Sequence, residues 1–86
     1  MTELEEKAIE VLVESPPNTD PFGRPVEDMA SKLGLPIDEA RTLTGLLLSE
    51  RLIHIVTAEP ASNLAAFLIR YMWERIPDAY SGQRIA

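Results

Sequence analysis

Residues 26–57 hold the pattern that most restricts the fold. Val26, Met29, Ala30 and Leu33 recur at i, i+3, i+4 and i+7, the spacing of one helical face. Gly34 follows, suited to a left-handed helix stop, with Leu35 beside it as the buried residue of a turn. Ala40, Leu43, Thr44 and Leu47 then mark the inward face of a second helix, predicted over about 37–50. Leu52 to Thr57 is rich in β-branched residues and is bounded by Ala58-Glu59-Pro60, so it reads as a strand. Two short helices meeting at a glycine corner and leading into a strand leave few ways to close a core.

The flanking segments add two more helices. Thr2 and Glu5 have the spacing of a capping box, which opens a helix over about 2–14, stopped by Ser15-Pro16-Pro17. Leu4, Ala8, Val11 and Leu12 share its inner face, and Ile9 and Val13 widen that face beyond an ordinary stripe. Pro16, Pro17, Pro21 and Pro25 make 15–25 a loop, from which Phe22 is expected to plug the core; the later strand is left to pair either with Phe22 to Arg24 or with its counterpart in a second chain. Pro25 suits the first turn of the helix over 25–33. A last helix is predicted over about 61–76, ended by Pro77 and apolar around most of its circumference. In a small domain such a helix needs cover, so homodimerisation is expected through Leu64, Phe67, Leu68, Tyr71, Met72 and Trp73, with Trp73 as anchor. Residues 1–77 thus read as a single domain and 78–86 as a flexible tail.

Charge and composition narrow the chemistry. The 86 residues suffice for one core, though a chain of this size buries only about 60 to 65% of its unfolded surface. The formal net charge is -6, with fourteen acids against eight Lys and Arg. The first helix carries Glu3, Glu5, Glu6, Glu10 and Glu14 against Lys7 alone, a face read mainly as solvated. There is no cysteine and only His54 among histidines, so no metal or cofactor site is expected. His54 reads as a partly exposed strand residue. No glycine-rich phosphate loop or nucleophile elbow surrounds the serines, and an enzyme is not expected. The densest apolar stretch, 64–73, is broken by Arg70 and too short for a membrane span, so a cytoplasmic protein is expected.

Leu33-Gly34-Leu35, then Ala40, Leu43 or Thr44, Leu47 and Leu52-Ile53, resembles the apolar skeleton of winged helix-turn-helix domains, without identifying a member. The match covers 26–56. It implies a mainly α, winged-helix-like fold with a reduced one- or two-stranded wing, followed here by the C-terminal dimerisation helix. It also implies DNA reading by the third helix, with Arg41 and Thr42 at the bases and Arg24, Lys32 and Arg51 at phosphates. Two features oppose DNA. Asp38 and Glu39 meet phosphate with like charge, as do Glu27 and Asp28 on the preceding helix, and the usual wing hairpin with basic residues is read as missing.

The third helix has another regularity on its outer side. Asp38, Thr42, Gly45 and Ser49 fall within about 60° of one another by helical geometry, flanked by Leu46. A strip of small residues beside a leucine suits close approach of another protein. The preferred expectation is therefore a dimeric, non-enzymatic protein-interaction or regulatory module that takes a protein partner, perhaps a basic one, on its acidic first helix or on the third-helix interface Asp38, Thr42, Gly45, Leu46 and Ser49. A DNA-binding transcription regulator is the second expectation, and a ligand sensor with a pocket among Phe67, Tyr71 and Trp73 the third.

Overall fold

The computed structural model describes residues 1–58 and 69–77. In chain order these form α1 (Glu3–Glu14), α2 (Arg24–Leu33), α3 (Ile37–Ser49), β1 (Ile53–Ala58) and β2 (Arg70–Arg75). Three helices pack with a two-stranded antiparallel sheet: α1 lies against α2 and β2, and α2 against α3.

Each helix begins and ends for a local reason. The Thr2 hydroxyl accepts from the Glu5 amide at 3.1 Å, and the Thr2 amide donates back to the Glu5 carboxylate at 2.8 Å, so both halves of the capping box are present. These bonds, with the backbone one foremost, hold the Glu5 carboxyl below its ordinary pKa. Ser15 is extended ahead of Pro16 and ends α1. Gly34 is left-handed at φ 67°, and the Leu35 amide returns to the Ala30 carbonyl at 2.9 Å, closing α2. The exit of α3 uses the same device without a glycine. Arg51 is left-handed at φ 61°, its amide donates to Leu48, and the Leu52 amide donates to Leu47.

The core is one cluster: Ala8, Ile9 and Leu12 of α1; Val26, Met29 and Ala30 of α2; Ala40 and Leu47 of α3; Ile53 of β1; and Trp73 of β2. Thr44 is the polar residue at its centre, and its hydroxyl donates to the Ala40 carbonyl at 2.8 Å. Among the described residues no buried side-chain nitrogen or oxygen lacks a partner. Leu4, expected on the buried face of α1, is 43% exposed, which leaves the inner stripe to Ala8, Ile9 and Leu12.

The C-terminal part corrects the sequence reading. Arg70–Arg75, expected inside a helix, is a strand paired antiparallel with β1, placing Ile55 opposite Trp73 and Thr57 opposite Tyr71. The two-stranded sheet falls within the one or two strands expected, but its second strand is Arg70–Arg75, where the sequence predicts a helix. The reason lies in backbone accounting: a solitary strand leaves its amides and carbonyls without partners, and Arg70-Tyr71-Met72-Trp73 supplies them while remaining rich in strand-favouring aromatics. Residues 61–68, the rest of the predicted helix, and the tail 78–86 lie outside the described residues.

The loop before α2 is corrected as well. Asn18, rather than 22–24, bridges to β2: its amide donates to the Tyr71 carbonyl at 2.9 Å, and the Tyr71 amide donates back at 2.7 Å. Arg24 already belongs to α2. Phe22 does not plug the core; it is 37% exposed and meets the Trp73 ring edge-on at 5.3 Å. Trp73 takes the buried position instead, and its indole N–H donates to the Pro21 carbonyl at 2.8 Å.

Candidate functional site

The outer face of α3 is built by the rules that bury its inner face. With Ala40, Thr44 and Leu47 turned fully inward, helical geometry sends Asp38, Thr42, Gly45 and Ser49 outward, and all four are exposed. The hydroxyls on this face fold back on their own helix. Thr42 donates to the Asp38 carbonyl at 3.0 Å and Ser49 to the Leu46 carbonyl at 2.9 Å. Each has thereby used its single hydroxyl hydrogen, so neither points a donor at an incoming group. At Gly45 nothing lies within 4 Å of where a Cβ would stand.

Beside this strip lies a shallow, solvent-open groove of about 340 Å³, lined by Asp38, Glu39, Thr42, Leu43 and Leu46 of α3 alone. The two leucines form its apolar floor, and Leu46 is 46% exposed. Asp38 and Glu39 stand at its end nearest the start of α3. No Lys or Arg lines it. Arg41 reaches Asp38 only at 4.0 Å, with both side chains largely exposed, an arrangement worth about 0.2–1 kcal/mol.

The structure therefore brings together Asp38, Thr42 and Leu46 of the sequence-predicted interface and adds Glu39 and Leu43. Leu43 falls between the inward and outward faces, and its 3.6-residue periodicity alone assigns it inward. Gly45 and Ser49 belong to the adjoining exposed strip and not to the groove lining.

A second groove, of about 150 Å³, lies between α1 and β2 and is lined by Ile9, Glu10, Val13, Glu14 and Arg75. Here the chain supplies its own cation: the Arg75 guanidinium donates to the Glu6 carboxylate at 3.0 Å. Glu3 is similarly met by Lys7 at 3.5 Å.

The residues proposed from sequence for DNA contact are dispersed or engaged. Arg24 is held by Asp28 at 3.2 Å and Arg41 faces Asp38, while Lys32 and Arg51 are exposed at the ends of α2 and α3. Of the residues expected at a dimer interface, Leu64, Phe67 and Leu68 lie outside the described residues, Tyr71 and Met72 are half-buried on β2, and Trp73 is 1% exposed within its own chain. The ligand pocket expected among Phe67, Tyr71 and Trp73 involves that same buried indole, which fills the core and lines neither groove. His54 is a half-exposed strand residue that meets Glu74, its opposite in register, at 3.0 Å. Among the described residues no group of three His, Cys, Asp or Glu side chains is placed to hold a metal ion, and no helix is long and apolar enough to cross a membrane. Compared with known proteins, the chain matches no family model, no curated protein and no solved structure.

Proposed function

We propose that this chain is a small, non-enzymatic protein-interaction module with a winged-helix-like layout, and that it docks its partner on the outward face of α3. One observation carries the reading: the helix that would enter DNA in such a layout bears an apolar groove with carboxylates and no lining cation. DNA affinity comes largely from neutralising phosphates, and this face opposes that. The element order supports the layout, since a helix, a bridging residue, two helices joined at Gly34 and an antiparallel strand pair follow one another in the winged-helix sequence. The fold-back of the Thr42 and Ser49 hydroxyls leaves neither hydrogen free to donate to a phosphate from this face.

Two measurements test the reading. In a mobility-shift assay on random duplex at about 50 mM salt, where counterion release favours any basic face, the protein is expected to leave the duplex unshifted. Retardation that Arg41→Ala and Arg51→Ala weaken would restore DNA reading. A photo-reactive residue placed at Leu46 is expected to crosslink to protein, whereas the same residue at Lys7 on α1 gives no adduct; equal labelling at both positions would remove α3 as the docking face.

A further inference from the structure

We infer that the occupant of the α3 groove is a basic amphipathic helix of a partner protein, with apolar side chains on Leu43 and Leu46 and lysine or arginine against Asp38 and Glu39. This inference rests on the docking reading above and names the chemistry of the partner.

Three features lead to it. The first is charge: the groove presents two carboxylates and no lining cation, so its complement is positive. A second copy of this chain brings a net charge of -6 and the same carboxylates, so it meets that complement less well than a basic partner does. The second is backbone chemistry. The amides and carbonyls along the middle of a helix are bonded to one another, so α3 offers no ladder to an extended peptide of the kind that adds itself to a sheet edge. A segment lying on α3 gains no backbone bonds from it, and a helix arrives with its own already made. The third is dimension. From Asp38 to Leu46 the helix rises about 12 Å, the length of roughly two turns, which matches apolar anchors at i, i+3, i+4 and i+7 on the partner.

A displayed library of helical peptides, panned against the full chain and counter-selected against Leu46→Arg, tests the chemistry and the site separately. Leu46 lines the groove and is 46% exposed, so the variant is expected to fold and melt like the parent, which a thermal melt checks. The enriched peptides are expected to carry net positive charge and the i, i+3, i+4, i+7 apolar pattern. For one such synthetic peptide, Leu46→Asp is expected to abolish binding. The pair Asp38→Asn and Glu39→Gln should weaken it about three- to tenfold, with a loss that shrinks as salt is raised. Enrichment of neutral or acidic peptides that Leu46→Arg still excludes would overturn the basic-helix inference and leave α3 as the docking face. Peptides that bind parent and Leu46→Arg alike, or no enrichment at all, would overturn both.

Discussion

The α1–β2 groove and the α3 groove both set carboxylates beside apolar side chains, and they differ in whether a cation lines the groove itself. Arg75 lines the first and pairs with the neighbouring Glu6, whereas on α3 Arg41 faces Asp38 at 4.0 Å from outside the lining. The acids of α1 are further drawn into that helix's own stability, since Glu5 completes the capping box. The floor of the α1–β2 groove includes Ile9, a core residue. On α3 the floor leucines are half-buried or exposed, and no basic residue lines the site. Acidity alone therefore identifies no surface. What separates the two is whether the fold already uses the residues that make the groove.

The largest expected effect comes from Trp73→Ala, which removes the side chain that joins the Pro21–Phe22 loop to the core shared by α1, α2 and β1. A loss of about 3–5 kcal/mol is expected, with both grooves lost in one transition by urea denaturation followed at amides on α1 and α3. Two separate transitions would show that the grooves belong to independent units. A paired substitution then sharpens the contrast. Ile9→Ala should cost about 2–5 kcal/mol because it opens a cavity, while Leu46→Ala should stay within about 0.5 kcal/mol because its side chain already meets solvent. Comparable losses at both positions would mean that the α3 floor is structural and not available to a partner.

The smallest effect concerns pH. The Glu5 carboxyl is held below its ordinary value by hydrogen bonds in the folded state, so the charged form is favoured by folding. Its contribution is fully present above the pKa of the unfolded chain and is lost as pH falls through the lower folded value. The stability difference between the parent and Glu5→Gln is thus expected to narrow on acidification through the carboxylate range, as measured by thermal melts. A difference that widened instead would contradict the role of Glu5 in the cap.

The parts of this molecule that were legible beforehand are those written in neighbouring residues. Thr2 and Glu5 announced the start of α1, Gly34 announced the end of α2, and Ala40, Thr44 and Leu47 gave the inner face of α3. Asp38, Thr42 and Leu46 followed as outward positions of the same helix. The misreading of Arg70–Arg75 as helical has a physical cause, because Tyr71, Met72, Trp73 and Ile76 fit a helical face as readily as a strand pairing. The choice between them is made by β1, in a different part of the chain. The same holds for Arg75 and Glu6, which are 69 positions apart, and for the bridge from Asn18 to Tyr71. Leu43 was displaced from its expected role by geometry at the border of two faces, where a periodic pattern does not decide.

Arg51 holds a backbone conformation that costs a non-glycine residue about 1–2 kcal/mol, at the corner where α3 gives way to the sheet. The molecule consequently keeps a reserve of stability at one solvent-facing corner that lies outside the groove lining. An engineer seeking a sturdier scaffold would begin at that position, with the α3 surface left untouched.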